Sequence, residues 1–322
     1  MPGVLVAPDS FKGTLTASDV AEALAGGFES VGWSADRCPL ADGGEGTGEV
    51  LMDALGGETV PIEASDPLGR PVDAVYRSLG DGATAVVEVA EASGLGRLAD
   101  DELDPLATTS RGTGELIVSA AREAAVVLVA VGGSATNDGG LGALAAISEA
   151  GGLGDTRLVC LCDVTTPWEH ASRVFGPQKG ADRSAVAKLE ARLDRLAAEL
   201  PRDPRGVPRS GAAGGLAGGL WAALGASLEH GASYVCDAVG IDERIDRADL
   251  VIGGEGRLDE TTLEGKVLAE LSDRCAQAGK PLVAVVGQDA SGPELRARLG
   301  LSSVVEACDA TGLRAAALSL AG

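Results

Sequence analysis

The sequence predicts an α/β protein in which a doubly wound parallel sheet is interrupted by a second, inserted mixed α/β domain. Short apolar runs alternate with amphipathic helical segments at both ends of the chain, and this alternation is typical of parallel sheets. Two such strands lie early in the chain and three lie late, which matches the five strands of a flavodoxin-like sheet. The middle of the chain has hairpin character instead. We therefore predict a flavodoxin-like domain over residues 1–61 and 241–322, and an inserted α/β domain over residues 62–240.

The first elements of the outer domain follow from local pattern. Four consecutive apolar residues at positions 4–7 predict a strand that is buried on both faces. Thr16, followed three residues later by Asp19, predicts the start of a helix with an arrangement close to a capping box. A second strand is predicted near residues 34–40, and a helix is predicted after Glu45.

The late part of the outer domain repeats this order. Strands are predicted at residues 250–256, 281–287 and 302–308. A helix over residues 263–278 is expected between the first two strands. Gly279, with Pro281 shortly after it, marks the end of this helix.

The inserted segment begins with a predicted hairpin whose strands cover residues 71–79 and 84–90. Two further apolar runs, at residues 126–132 and 158–164, predict buried strands. Leucines and a valine at helical spacing between residues 186 and 200 predict an amphipathic helix.

The composition argues against several classes of function. A net charge of −22 leaves no basic footprint for nucleic acid or for an anionic membrane surface. No apolar run reaches the roughly 18 residues that span a bilayer, and no N-terminal signal pattern is present, so a cytoplasmic location is expected. Six cysteines without a C-x-x-C pair are expected to be buried thiols. With only two histidines, the general base of an enzyme would be a carboxylate or a lysine.

Charged residues recur where the outer strands end. In doubly wound sheets, ligands bind at the carboxyl ends of the strands. The turns at residues 8–13, 41–46 and 253–259 all combine glycine with carboxylates, and Lys12 and Arg257 add a cation to two of them. Turn chemistry explains the glycines and aspartates but not the recurring cations.

Lysine usage indicates the same region. Lysine and arginine together number 26, and only five of them are lysines. Lys12, Lys179 and Lys266 lie in glycine-bearing strings, where an ammonium beside exposed backbone amides can bind a phosphate or a carboxylate. Chance placement in loops is the alternative.

A glycine-rich loop follows the buried strand near residue 130. Residues 132–140 read GGSATNDGG, and backbone amides in such a loop can form an anion site. Asn137 and Asp138 are candidates to bind Mg²⁺ or a hydroxyl group. The loop is neither a Walker A motif nor a Rossmann fingerprint, and a purely structural turn is the alternative.

Taken together, strings spread along the chain resemble the bacterial glycerate kinase family. They occur in the family's order and are APDSFKG (7–13), LADGGEGT (40–47), DPLGRPV (66–72), TSRGTGELI (109–117), GGSATNDGG (132–140), FGPQKGA (175–181), GAAGGL (211–216) and GEGRLD (254–259). The resemblance implies a flavodoxin-like domain interrupted by a second α/β domain, and phosphoryl transfer from ATP to glycerate. The expected product is 2-phosphoglycerate.

The chain departs from the family pattern at residues 165–171, which read TTPWEHA. Two alternatives therefore stay open: a kinase for another small hydroxy acid, and a non-catalytic metabolite-binding paralogue. The expected partner is glycerate, with no nucleic acid and no membrane, and a homodimer is left open.

Phosphoryl transfer needs cations on the phosphates, a carboxylate on the attacking hydroxyl and a cation on the substrate carboxylate. The candidate catalytic residues are Asp9, Lys12 and Asp259. The candidate substrate-binding residues are Ser10, Arg70, Arg257 and Asn137. The candidate phosphate- and nucleotide-binding residues are Lys179, Gly133, Ser134 and Lys266. The expected cofactors are ATP and Mg²⁺, and the candidate metal ligands are Asp42, Glu45 and Asp138.

Overall fold

The structure, a computed structural model, describes residues 1–322 except for the side chain of Glu264. The chain forms two compact units. Unit 1 comprises Met1–Asp42 and Ala232–Gly322, and unit 2 comprises Gly43–Gly231. These units divide the chain at residues 42/43 and 231/232. The domain boundaries predicted from the sequence, at residues 61/62 and 240/241, stay a prediction.

Strands and helices alternate through most of the chain. The strands are β1 Gly3–Pro8, β2 Ser34–Arg37, β3 Gly57–Ser65, β4 Pro71–Leu79, β5 Thr84–Glu88, β6 Val126–Ala130, β7 Arg157–Cys162, β8 Ser227–His230, β9 Leu250–Leu258, β10 Leu282–Asp289 and β11 Leu301–Glu306. The α-helices are α1 Ala17–Glu29, α2 Thr47–Leu55, α3 Val89–Ser93, α4 Arg111–Ala120, α5 Leu141–Glu149, α6 Ala171–Phe175, α7 Arg183–Glu199, α8 Leu216–Leu224, α9 Gly231–Ala238, α10 Ile241–Arg247, α11 Val267–Ala278, α12 Pro293–Arg298 and α13 Ala310–Ala321. Short 3₁₀ turns cover Leu95–Arg97, Asp100–Glu102, Trp168–His170, Pro177–Lys179, Ala212–Gly215 and Glu260–Glu264.

The sheet of unit 1 confirms the flavodoxin-like prediction. Its strand order is β2-β1-β9-β10-β11, and every neighbouring pair is parallel. Counted within the unit, this is the order 2-1-3-4-5 of flavodoxin-like folds. The strand order reverses between β1 and β9, so the carboxyl ends of these two strands flank the crevice in which such sheets bind ligands.

The first helix begins where the sequence predicts. Thr16 and Asp19 form the reciprocal hydrogen bonds of a capping box, which satisfy free amides at the start of α1. Val20, Leu24 and Phe28 of this helix are buried in the core of unit 1. The helix packs closely against α13, and a side chain on Gly27 would lie 2.6 Å from the Cβ of Ala317.

The sheet of unit 2 has the order β3-β4-β5-β6-β7-β8. The predicted hairpin is confirmed, because β4 and β5 are antiparallel. From β5 to β8 the neighbouring strands are parallel, which makes the sheet mixed. The sequence did not predict β3 or β8. Both are edge strands, and their partly exposed residues lack the continuous apolar run that marks a buried strand.

The cysteine prediction is right for five residues and wrong for one. Five thiols are buried, whereas Cys308 is exposed. Cys308 follows β11, where the chain leaves the sheet. Among the described residues, no helix is long and apolar enough to cross a membrane.

Candidate active site

Unit 1 contains a cavity of about 370 Å³ at the carboxyl ends of its strands. A cavity there is expected from the reversal of strand order between β1 and β9. Six residues predicted from the sequence line it, namely Asp9, Ser10, Lys12, Asp42, Arg257 and Lys266. Glu255, Gln288 and Cys308 also line the cavity and were not predicted.

Asp9 follows directly after β1 and is held in place by its backbone. Its amide donates to the Gly254 carbonyl at 2.9 Å, and the Ser10 amide donates to the Asp9 carboxylate at 2.6 Å. The side chain is buried, and this desolvation is the main cause that raises the pKa of Asp9 to about 7. The neighbouring carboxylate of Asp42 raises the pKa further, while the Ser10 amide and Lys12 oppose the rise. Asp9 is therefore a carboxylate that can exchange a proton near neutral pH.

Lys12 and Asp42 form an ion pair at the mouth of this cavity. The Lys12 ammonium lies 3.8 Å from the Asp42 carboxylate. The Lys12 side chain is 73% exposed and that of Asp42 only 6%, so water screens the pair at its cationic end. The ammonium is thus accessible to an anionic ligand, whereas the carboxylate belongs to the wall of the cavity.

Glu255 and Lys266 form a second ion pair, which has a buried acidic end. Glu255 lies within β9 and is 5% exposed, and this burial raises its pKa. One carboxylate oxygen accepts from the Thr262 hydroxyl at 2.6 Å, and the other accepts from the Lys266 ammonium at 3.5 Å. A carboxylate inside an apolar strand is the signal in the sequence that identifies Glu255, since such burial needs a partner.

The Arg257 guanidinium donates hydrogen bonds to two neighbouring side chains. Its Nε donates to Asp259 at 2.9 Å, and its Nη1 donates to the Gln288 side chain at 3.2 Å. Gln288 is its partner in the parallel register of β9 and β10. Asp259 also accepts from the amide and hydroxyl of Thr261, which lower the pKa of its carboxyl. Asp259 thus contacts Arg257 and caps the turn at Thr261, and its side chain is more exposed than that of Asp9; its catalytic role stays a prediction.

Glycines let the strands approach closely beneath this cavity. A Cβ on Gly254 would lie 2.6 Å from the Val285 carbonyl, and one on Gly287 would lie 2.7 Å from the Gly256 carbonyl. Phe11 packs against the same positions and is 2% exposed. Gly254, in the GEG string, and Gly287 are thus required by packing, which lets β9, β10 and Phe11 approach one another closely.

In unit 2, the Lys179 side chain contacts the glycine-rich loop at residues 132–140. The Lys179 ammonium donates to the Thr136 carbonyl at 2.6 Å and lies 3.5 Å from the Ser134 hydroxyl. The residue is only 2% exposed, and burial lowers the pKa of Lys179 to about 7. The structure therefore places this ammonium inside the unit, against the loop backbone.

Two further loop residues are buried with most of their polar atoms bonded. The Asp138 carboxylate accepts from the Ser110 amide and hydroxyl, the Gly140 amide and the Gly142 amide, at 2.9 to 3.1 Å. Asn137 donates to the Ser172 hydroxyl at 2.8 Å. Among the described residues its side-chain oxygen has no hydrogen-bond partner.

The other predicted residues of unit 2 lie at the surface or in the loop. Arg70 is half-exposed and divides its guanidinium between Asp66 and Glu102, each at 2.5 Å. Glu45 is exposed, and a Cβ built on Gly133 would lie 3.9 Å from its carboxylate. Gly133 has a φ of 71°, so the loop turns there through the left-handed region that favours glycine.

Comparison with known proteins gives a consistent result along the chain. The model of the family described as "Glycerate kinase family" matches residues 4–150 and 148–321. "Glycerate 2-kinase" of Escherichia coli K12 is 36% identical, over 88% of this chain and 84% of that protein. "Glycerate kinase" of Bacillus subtilis 168 is 39% identical over the same shares. A crystal structure from Salmonella typhimurium LT2, of a protein provisionally named glycerate kinase 2, superposes with a TM-score of 0.85 at 34% identity and covers 99% of this chain and 97% of that one.

Proposed function

The chain belongs to the glycerate kinase family, and from this premise we propose that it transfers a phosphoryl group from ATP to glycerate, with 2-phosphoglycerate as the expected product. The observation that carries the proposal is the cavity of unit 1. Three carboxylates and three cations converge there, in a chain with a net charge of −22: Asp9, Asp42, Glu255, Lys12, Arg257 and Lys266. The three cations can bind the anionic groups of the nucleotide and the substrate, and a carboxylate can serve as a base or hold Mg²⁺.

Asp9 is the general base of the proposed reaction. A base works best when its pKa lies near the working pH, and burial raises the pKa of Asp9 to about 7. The Ser10 amide fixes one carboxylate oxygen, so the other can accept the proton of the substrate hydroxyl. Asp259, the alternative base, is tied to Arg257 and Thr261 and is a weaker candidate.

The three cations divide the anionic groups between them. Lys12 and Lys266 bind phosphate oxygens as point charges. Arg257 binds the glycerate carboxylate, because a guanidinium matches a carboxylate with two parallel hydrogen bonds. Its Nε and Nη1 are already bonded, and its Nη2 has no protein partner in the part of the chain that the structure describes. Ser10, in the same turn as Lys12, lines the cavity, which supports the substrate contact proposed for it.

Magnesium fits this cavity. Asp42 and Asp9 are buried carboxylates that repel each other, and a divalent cation relieves such repulsion. Asp42 would hold the ion, which prefers oxygen ligands and would neutralise phosphate charge when bound. Among the described residues no three His, Cys, Asp or Glu side chains are arranged to hold a metal ion together, so water and nucleotide oxygens would complete the coordination of a bound Mg²⁺.

Residues of unit 2 support the loop that carries the GGSATNDGG string. Lys179 and Asp138 are bonded to loop backbone, which favours an anchoring role for both. The direct phosphate contact predicted for Lys179, Gly133 and Ser134 stays a prediction, as do the metal role of Glu45 and Asp138 and the substrate role of Arg70 and Asn137.

Two residues of the altered segment at residues 165–171, Trp168 and Ala171, are buried in the core. Trp168 is fully buried in a small cluster with α7, and its indole donates to the Leu193 carbonyl at 3.0 Å. This packing favours a structural reason for the departure from the family pattern over a change of substrate.

The proposal is tested by an ADP-release assay with Mg²⁺-ATP against D-glycerate, L-glycerate and other small hydroxy acids, followed by NMR of the product. Turnover with glycerate is expected, with phosphate on the 2-hydroxyl. If folded protein bound ATP but phosphorylated none of the acceptors, a non-catalytic paralogue would replace this proposal.

A further inference from the structure

Glu255 is a buried carboxylate in the cavity that the proposed reaction leaves without a role. A buried carboxylate lowers stability unless its oxygens are satisfied. Both oxygens of Glu255 are satisfied, one by the fully buried Thr262 and the other by Lys266. Thr262 therefore fixes the orientation of the carboxylate, and the carboxylate in turn holds the ammonium.

We propose that Glu255 is a positioning residue that holds the Lys266 ammonium in the cavity, where it binds a phosphate oxygen of the nucleoside triphosphate. This inference rests on the proposed function, because it assumes that Lys266 contacts phosphate. Glu255 itself touches neither substrate, and it acts through Lys266.

The need for a positioning residue follows from where Lys266 lies. It is the N-cap residue of α11, directly after Gly265, whose φ is 103°; its side chain makes no capping hydrogen bond and is 31% exposed. A lysine carries its charge on a flexible four-carbon stem, so an ammonium at a half-open cavity spreads over many rotamers unless something holds it. The Glu255 carboxylate supplies the fixed acceptor at 3.5 Å.

Nucleotide affinity and turnover together distinguish a positioning role of Glu255 from an effect of its charge alone. A negative charge beside a phosphate site repels the phosphate, so its removal alone would tighten nucleotide binding. Glu255→Gln keeps the shape and the contact with Thr262 but removes that charge. If Glu255 positions Lys266, turnover falls about tenfold, as for loss of a charge-assisted hydrogen bond, while the affinity for ADP stays the same or rises. A local loss of structure would lower both the turnover and the affinity for ADP.

A double-mutant cycle tests whether Glu255 acts through Lys266. The turnover of Glu255→Gln, Lys266→Ala and the double variant is compared with the wild type, with Glu294→Gln on the exposed start of α12 as the matched charge control. The Glu255→Gln effect is expected to shrink to less than about twofold once Lys266 is absent. Thr262→Ser should retain the wild-type rate, and Thr262→Val should lose part of it. An undiminished effect of Glu255→Gln in the Lys266→Ala background overturns the inference.

A second readout does not depend on turnover. The chain has five lysines, so acylation of each can be followed by peptide mass spectrometry. A held ammonium reacts only after its contact opens, so Lys266 should react more slowly than the exposed Lys188, and Glu255→Gln should raise its rate several-fold relative to Lys188. An unchanged ratio overturns the positioning inference. Absence of glycerate turnover in the wild type, with the ratio changed as expected, refutes the proposed function but leaves the positioning of Lys266 by Glu255 intact.

Discussion

Asp9→Asn is expected to remove activity and to stabilise the fold at the same time. Asparagine keeps the shape and the oxygen that accepts from the Ser10 amide, but it cannot take a proton from the substrate. Turnover should therefore fall by about 10²-fold or more, as for loss of a general base. In the wild type, kcat/KM should rise with pH through the pKa of Asp9 at about 7.

The gain in stability follows from proton linkage. The pKa of Asp9 rises from its ordinary value of 3.8 to about 7 on folding, so the folded state binds more protons than the unfolded state between these values. The contribution of Asp9 to stability is thus present below about pH 4 and is lost as the pH rises through about 7. A shift of this size corresponds to about 4 kcal/mol as an upper limit. Relaxation of the buried pair with Asp42 reduces it, and we expect about 1–4 kcal/mol.

Urea unfolding at pH 5, 6, 7 and 8 measures this difference, followed by circular dichroism and by tryptophan fluorescence, to which Trp33 contributes from unit 1. The stability of Asp9→Asn relative to the wild type should grow from pH 5 to about pH 7 and then level off. Asp273→Asn, which removes a carboxylate from an exposed position of α11, serves as the charge control and should show no such trend. A difference that is constant with pH, or a less stable Asp9→Asn, would refute the assignment of Asp9 as a buried carboxyl with a raised pKa.

Three further predictions concern the other charged residues. Arg257→Lys keeps the charge but loses the planar fork, so steady-state kinetics should show a rise of about tenfold in the KM for glycerate and little change in the KM for ATP. Asp138→Ala leaves buried donors at Ser110, Gly140 and Gly142 without an acceptor, and urea unfolding should show a loss of about 3 kcal/mol. Folding lowers the pKa of Lys179 from 10.5 to about 7, so between these pH values the unfolded state binds more protons than the folded state. The stability of the wild type therefore rises with pH over this range. Unfolding of Lys179→Met between pH 7 and 10 should therefore show its stability relative to the wild type falling by up to about 4 kcal/mol, and a flat difference would count against a lowered pKa of Lys179.

Much of unit 1 could be predicted because its signals are local. Continuous apolar runs mark β1, β9 and β10, and Thr16 marks the start of α1. Their order along the chain then determines the carboxyl edge, where Asp9, Lys12 and Arg257 were expected to meet. Edge strands escaped prediction because their exposed faces are filled by polar residues, as Glu58 and Glu63 show in β3.

The rest of the site depends on register and burial, which local pattern does not report. Gln288 reaches Arg257 only because β9 and β10 pair with these two residues opposite each other. Lys179 lies in a glycine-bearing loop, as an exposed anion-binding lysine would, yet tertiary packing leaves it 2% exposed. Glycine and lysine in one string therefore indicate a close backbone approach, and only the packing decides whether the ammonium faces a ligand or a carbonyl.

The acidity of the chain explains why its cavity pairs each lysine with a carboxylate. Lys12 lies beside Asp42 and Lys266 beside Glu255, so neither ammonium is an isolated charge. The net charge of −22 repels a polyphosphate. A cavity that bound one by net positive charge alone would need many cations. We propose that Lys12, Lys266 and Arg257 bind the anionic groups of the ligands, and that the contacts of Lys266 and Arg257 orient these two cations before the ligand arrives. In this proposal the negative charge of Glu255 lowers the affinity for the nucleotide, while its contact with Lys266 improves the alignment on which phosphoryl transfer depends.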